Sequence, residues 1–375
     1  MPRRATLRDV ALRAGVAIRT VSNVVNGYAP VAEHTRALVQ AAIDELDYQP
    51  NLLARSLKQG RSHIIALVVP ELDVAYFAEL ARMVIAEAAA RGYTVIIEQT
   101  DGDGQQEREL LMQNPRALPF DGVILSPVAI SHADLANRAS AVPLVLIGER
   151  VYDGTLDHVS IDNITAAREA TDHLLALGRR RIAAIGDQPY DTGETAQLRT
   201  LGYRQAHANA SLAVDESLVI RTARFHRGEG ASAMEQLLAL PKPPDAVFCY
   251  SDLLALGALR VALSRGIRVP EDIAIVGFDD IEDGRYSTPT LTTVAPDKAE
   301  IARRAVERVI ARIESTDTRD PQEIRASHRL VVRETTVGAQ PSAVGAESSA
   351  LGAAKDARAP KTPRRRATPV STQQH

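Results

Sequence analysis

Between Ala17 and Asn26 the sequence sets Ile18, Arg19, Ser22 and Asn23 on one side of a helical period and Val21, Val24 and Val25 on the other. The polar side carries chemistry suited to nucleic acid. A guanidinium donates twice to guanine, and a carboxamide both donates to and accepts from adenine. Thr6, Thr20 and Asn26 stand beside these residues and complete the candidate set of the first 47.

A second group suits a small polar ligand, which is held by convergent charged groups and aromatic faces. Asp279 follows the apolar run IAIVG within GFDD, so a carboxylate stands where a strand ends. It can accept from two neighbouring hydroxyls. Ser251 and Asp252 follow DAVFCY in the same way, and Tyr76 and Phe77 open a helical stretch after IIALVVP. The bland alternative is a helix cap for Asp252 and Asp279 and a core position for Phe77. Catalytic motifs are missing: the chain has no GxGxxG, GxxxxGK[ST], HExxH or GxSxG. No Cys/His cluster has zinc spacing. An enzyme is therefore not expected, nor a cofactor.

Elements that could position the first group are legible. Thr6 can cap a helix with Asp9 in the capping-box position. Leu7, Val10, Ala11 and Ala14 then repeat at helical spacing. Gly15 permits a tight turn, and a second helix over about Ala17 to Val25 follows. Val39, Ala42, Ile43 and Leu46 mark a third. Helix, turn, helix is the unit whose second helix enters the major groove.

The stretch TLRDVALRAGVAIRTVSNVVNG, followed by TRALVQAAIDELDYQPNLLARSLK, resembles the head and hinge of the lactose-repressor/galactose-repressor (LacI/GalR) family of bacterial transcription regulators. The likeness continues in HVSIDNITAAREATDHLLALGRRRIAAIG, LRTLGYRQA, DAVFCYSDLLALGALRVALSRGIRVPEDIAIVGFDD, LTTV and LVVRETT, from about Thr6 to Thr336. It departs at Ala17 and Ala32, where the family usually or often has Ser. Both look like N-caps, and Ala there forgoes roughly 1 kcal/mol per helix. By position, the resemblance implies that Leu57 wedges into the minor groove, with Ala54 packing, Arg55 and Lys58 near phosphate and Asn51 beside Pro50 at the start of this hinge helix. It makes Arg199 a ligand-gripping arginine at a helix start and Phe225 a ring that stacks on the ligand, core being the bland reading of Phe225. A pair like Tyr76 and Phe77 occurs in the family's purine repressor. Asp162 and Asn163 are expected to bind backbone at the crossing between lobes.

The remaining chain alternates short apolar strands (64–70, 93–98, 121–126, 143–148, then 158–161, 181–186, 245–250, 273–277) with helical patterns. Such βαβ alternation predicts parallel sheets with helices on both faces, whose ligands bind beyond the strands' carboxyl ends. The expected fold is an all-α helix-turn-helix head plus an α/β two-lobed periplasmic-binding-protein-like core. Its expected parts are a head over 1–47, a hinge linker with a short helix over 48–61, lobe one over 62–161 plus 292–322, lobe two over 162–291 plus 323–337, and a tail over 338–375.

Composition agrees. A length of 375 residues suits several domains, and 45% apolar residues can bury large cores. No run of 18 apolar residues suggests a membrane span. A signal region is not visible, and the single Cys249 fits a reducing compartment, so a cytoplasmic location is expected. The net charge of −3 hides an asymmetry: residues 1–61 carry +4, residues 339–375 carry +4, and the stretch between them carries −11. A basic end on an acidic body suits one polyanion-binding end. The tail lacks leucine heptads, so a homodimer is expected. The resulting expectation is a ligand-responsive transcription regulator, a repressor on a palindromic operator. Its effector would be a small metabolite in the cleft between facing lobes, a sugar first. The alternatives are a nucleobase or nucleoside sensor and, more distantly, a solute-binding protein.

Overall fold

A computed structural model of the chain describes residues 5–26, 30–48, 61–112, 120–138, 142–149, 154–188, 194–314 and 320–338. The head consists of α1 (Leu7–Ala14), α2 (Ile18–Asn26) and α3 (Glu33–Glu45). At its start the Thr6 hydroxyl donates to Asp9 Oδ2 over 2.7 Å and accepts from the Asp9 amide, while the Thr6 amide donates to the same carboxylate over 2.8 Å. These bonds satisfy amides that a helix start otherwise leaves open. Gly15 ends α1 at φ 66°, a left-handed cap that a side chain would strain. Val10, Val21 and Val39 are fully buried, joined by Ala11, Ala42 and Tyr48.

Helix α3 begins after Ala32, which has N-cap geometry but no side chain to bond the open amides. Ala17 offers the start of α2 only its carbonyl, which accepts from the Thr20 and Val21 amides. Ala32→Ser should therefore stabilise the head by about 1 kcal/mol. Chemical denaturation followed by head-specific amide exchange checks this; an unchanged or lowered opening energy would contradict it.

The core holds β1 (Ile64–Val69), α4 (Ala75–Ala89), β2 (Thr94–Gln99), α5 (Gly104–Met112), β3 (Gly122–Leu125), α6 (His132–Ala136), β4 (Leu144–Ile147) and β5 (Asp157–Ile161). Next come α7 (Asn163–Ala176), β6 (Ile182–Asp187), α8 (Glu194–Asn209), β7 (Val219–Arg221), α9 (Arg227–Leu238), β8 (Ala246–Cys249), α10 (Asp252–Ser264) and β9 (Ala274–Phe278). The last are α11 (Glu282–Arg285), β10 (Thr292–Pro296), α12 (Lys298–Glu314), β11 (Glu323–Ala326), β12 (His328–Val331) and α13 (Glu334–Val337). They form two six-stranded sheets, in the orders β11-β5-β4-β3-β1-β2 and β12-β10-β9-β8-β6-β7. All pairings are parallel except β10 with β12. The central strands are aliphatic and fully buried, as parallel strands covered on both faces must be. Cys249 lies among them, where burial pushes its thiol up and leaves it unreactive.

Apart from Asp191–Thr195, which group with the first compact unit, the chain leaves that unit after Asp162, returns at Asp297 and leaves again after Ser327. The expected lobe boundaries at 291 and 323 are thus about five residues early. Strand β10 pairs with β9 and belongs to the second sheet, and β11 pairs with β5 and belongs to the first. Neither TTVAP of β10 nor EIRA of β11 carries a mark of which sheet will receive it.

Asp157, at the start of β5, fastens α12 to the first sheet. Its side chain is inaccessible and accepts from Arg308 over 2.6 Å, Arg312 over 2.7 Å and the Gln322 amide over 2.9 Å. Burial alone would raise its carboxyl; the Arg312 and Arg308 bonds, backed by the Gln322 amide, outweigh it and hold the group below the ordinary carboxylate range. A depressed folded pKa gives stability that is present above the unfolded value near 4 and is lost as pH falls through the folded value. Asp157→Ala should cost roughly 3 kcal/mol at neutral pH. It should also flatten the acid limb of stability against pH, read by urea unfolding between pH 7 and pH 3. A variant with an unchanged acid limb would remove Asp157 as its cause.

Candidate functional site

In the head, α2 turns Val21, Val24 and Val25 inward. Ile18 is 48% exposed, Arg19 is exposed, and Thr20, Ser22 and Asn23 are half-buried. The predicted polar face thus exists on a helix fixed by the head core. Asn26 is the last residue of that helix. Thr6 forms the expected α1 cap, its hydroxyl engaged on both sides. The hinge candidates Asn51, Ala54, Arg55, Leu57 and Lys58 lie outside the described residues, as does the tail from 339.

In the second unit, polar groups gather at the carboxyl edge of the sheet. Helix α8 begins at Glu194, so Arg199 sits in its second turn rather than at the expected helix start. Glu194 in the first turn suits the helix dipole. Arg199 is only 6% exposed. Its Nε donates to Asn163 Oδ1 over 2.7 Å and its Nη1 donates to the Tyr250 carbonyl. The guanidinium carbon lies 3.5 Å from the centre of the Phe278 ring, within stacking range. One side chain thus joins α8, the start of α7 and the ends of β8 and β9. Asn163, expected to bind backbone, instead holds the arginine, and its Nδ2 is buried with no hydrogen-bond partner among the described residues.

Asp279 directly follows β9 and is half-buried. Its φ is 112° and that of Asp280 is 48°, conformations that side chains other than glycine adopt only when the surroundings hold them. The clamps are visible. The Asp279 amide donates to the Val294 carbonyl over 2.8 Å. Asp280 accepts from Arg333 over 2.6 Å and Arg285 over 2.9 Å. The Ile281 amide donates to Asp252 Oδ2 over 2.9 Å, and the Thr293 hydroxyl donates to Asp252 Oδ1 over 2.6 Å.

This arrangement gives two of the expected ligand residues structural partners. Asp252 is fully buried, and burial, with the nearby Asp279 charge, pushes its carboxyl well above the ordinary range. It braces the turn that carries Asp279 and packs against Gly277, where a Cβ would lie 2.2 Å from Asp252 Oδ1. Ser251 caps α10, its Oγ accepting from the Leu254 amide over 3.2 Å. Phe225 is half-buried between β7 and α9, so the core reading does not hold it fully. In the first unit, Tyr76 and Phe77 form the first turn of α4, edge to face at 5.2 Å and half-buried. The Lys298 ammonium lies 5.9 Å from the centre of the Tyr76 ring and pairs with Glu79 over 2.5 Å. Among the described residues no cluster of His, Cys, Asp or Glu could hold a metal, and no helix is long and apolar enough to cross a membrane.

A helix-turn-helix head, joined to two parallel α/β sheets with charged groups gathered at a carboxyl edge, defines a DNA-binding regulator with a ligand-binding type of core. More narrowly, the chain belongs to the lacI family of bacterial regulatory proteins: residues 6–51 match that family, and residues 171–336 match the periplasmic binding protein-like domain. It is 36% identical over 306 residues to the HTH-type transcriptional repressor CytR of Escherichia coli (strain K12), covering 80% of this chain and 88% of CytR. It is also 36% identical over 314 residues to the ribose operon repressor of the same organism, covering 82% and 93%. Two solved structures place the fold. The transcriptional regulator CelR–cellobiose complex shares 35% identity at a TM-score of 0.66, over 88% of this chain and all of that one. The lac repressor dimer bound to operator and the anti-inducer ONPF shares 26% at 0.78, over 90% and all.

The strain at Asp279 yields a test. Asp279→Gly should raise the stability of the core by about 1 kcal/mol, the relief of the left-handed backbone exceeding the extra freedom of the unfolded glycine. Equilibrium unfolding in urea measures it; a variant less stable than the parent would show that the carboxylate itself holds the fold.

Proposed function

We propose that this chain is a repressor that binds operator DNA as a homodimer in the cytoplasm and changes its DNA affinity when a small hydroxylated metabolite, a sugar, binds its core. The observation that carries the ligand half is Arg199, buried and aimed by Asn163 and Phe278, at the sheet edge that also bears the strained Asp279. Strain of this kind is kept where a side chain has a task. The names of the relatives agree: one is a ribose operon repressor, one was solved as a complex with cellobiose, and another LacI-family regulator was solved with bound ribose. Tyr76 and Phe77, at the start of α4, are the contribution proposed from the first unit.

On the DNA side, Ile18, Arg19, Ser22 and Asn23 read base edges in the major groove, with Thr20 and Asn26 beside them. The hinge role is assigned to residues 51–58 as the family resemblance implies, with Asn51 at its start, Leu57 for the minor groove, Ala54 for packing and Arg55 and Lys58 for phosphate. A sugar that favours one state of the core shifts DNA affinity by its differential affinity for the two states and by no more.

Two measurements test the reading. Arg19→Ala should relax base preference at one symmetric operator position, at a cost of about 1–3 kcal/mol per contact. A uniform loss across sequences, with a shallower salt dependence, would make Arg19 a phosphate contact instead. For the core, a thermal-shift screen of sugars identifies a ligand, and Asp279→Ala should then weaken it at least about tenfold, or 1.4 kcal/mol. Operator affinity without ligand, followed by anisotropy, should stay at the parent level. A full response to ligand in both Asp279→Ala and Arg199→Ala would place the site elsewhere.

A further inference from the structure

Residues 61–63 bring the chain into β1, the first strand of the core, and residues 49–60 separate them from the head. The entry is fastened by one carboxylate. Asp121, half-buried just before β3, accepts at Oδ1 from the Ser62 amide over 2.7 Å and the Ser62 hydroxyl over 2.8 Å. Its Oδ2 accepts from the His63 amide over 2.7 Å. Bonds to an ionised acceptor are roughly twice as strong as neutral ones. His63 stands at φ 55°, a left-handed corner that a residue other than glycine takes only when its surroundings hold it. Its ring lies against that of buried Tyr93, the centres 5.3 Å apart, and its carbonyl accepts from the Thr94 amide over 2.8 Å. Arg61 Nη2 donates to the Ile313 carbonyl over 3.2 Å, in the last turn of α12, the helix end that favours a cation. The same end of α12 presses on Gly122, where a Cβ would lie 2.5 Å from Val309 and 2.9 Å from Ile313. Helix, strand and entering chain are thus held together.

Resting on the reading of the chain as a dimeric operator-binding repressor, we infer that Asp121 is a positioning residue for DNA recognition. Through Ser62 and His63 it aims the chain toward the head, and so it sets the half-site spacing that two subunits accept. Strand β1 pairs with β2 from Ile64 and with β3 from Ile65 onward, so the sheet has its own bonds. What the Asp121 bonds fix is the direction in which the chain leaves it. Two heads on one duplex bind at an effective concentration set by the reach and stiffness of what connects them, and half-site spacing is a geometric property of the dimer. A corner held in advance removes freedom that binding would otherwise have to remove. It also narrows the range of spacings that both heads can occupy at once.

The test uses the full-length protein and a duplex that the parent selects from a randomised pool, together with versions carrying one base pair more or fewer at the centre. Anisotropy gives each affinity. Asp121→Ala should bind the selected duplex at least tenfold more weakly, and its penalty for altered spacing should shrink at least fivefold against the parent. Binding to a duplex with a single half-site should stay within twofold, because the head itself is untouched. His63→Gly keeps the sheet and relieves the left-handed backbone while freeing the corner. It should melt at or above the parent temperature and still lose the spacing preference, which a merely structural role would not predict. His63→Asn, which tolerates positive φ better than most residues, should stay closer to the parent than His63→Gly. Parent-like spacing penalties in both Asp121→Ala and His63→Gly would overturn the inference. So would an affinity loss in Asp121→Ala that tracks a lowered melting temperature while the spacing penalty is kept. If the parent selects only single half-sites, the dimeric reading itself fails and the inference with it. If it selects paired half-sites and the variants do not differ from it, that reading stands and only the role of Asp121 is wrong.

Discussion

A guanidinium withdrawn from water at the end of a β-sheet is the constraint on which the second unit turns. Taking such a charge out of water costs several kcal/mol unless its donors are met. Arg199 meets them by drawing three separate segments together: the carboxamide of Asn163, the carbonyl of Tyr250 and the face of Phe278. The segments come from the start of α7, the end of β8 and the end of β9, which fixes the edge as one surface. Asp279 stands on that surface by force. Its backbone conformation is uncomfortable, and Asp252, Asp280, Arg285 and Arg333 supply the bonds that hold the turn.

The head was legible almost entirely from sequence because its determinants are local. Thr6 and Asp9 are three residues apart, Gly15 marks its own turn, and the buried valines of α2 repeat at helical spacing. Eight of the twelve strands were legible from their aliphatic runs, whereas β7, β10, β11 and β12 were not. What escaped depended on distance in sequence. Helix α12 buries Ile301, Ala302, Ala305, Val306, Val309 and Ile310, a clear helical stripe that was there to be read. By contrast, nothing around Asp157 announces Arg308 and Arg312, which come from about 150 residues later.

The candidate site divides along the same line. Arg199 and Asp279 were found through family likeness and strand-end position, and the structure sets both at one sheet edge. Asp252 and Ser251 were named for the same position and serve as a brace and a cap. A strand end places a residue at the edge but does not say which way its side chain faces. Asn163 was set aside, because a missing partner is a property of the folded surroundings. No residue type or spacing encodes it.

Each sheet takes its outermost strand from the far end of the chain. Strand β11 borders the first and β12 the second, and β10, inside the second, also lies beyond residue 290. On the ribosome this orders events. The head closes its core with residues no later than Tyr48, whereas the first sheet lacks its last strand until residue 326 has been made and the second until residue 331. The module that reads DNA can therefore assemble early in synthesis, and the part of the chain that would silence or license it is finished last.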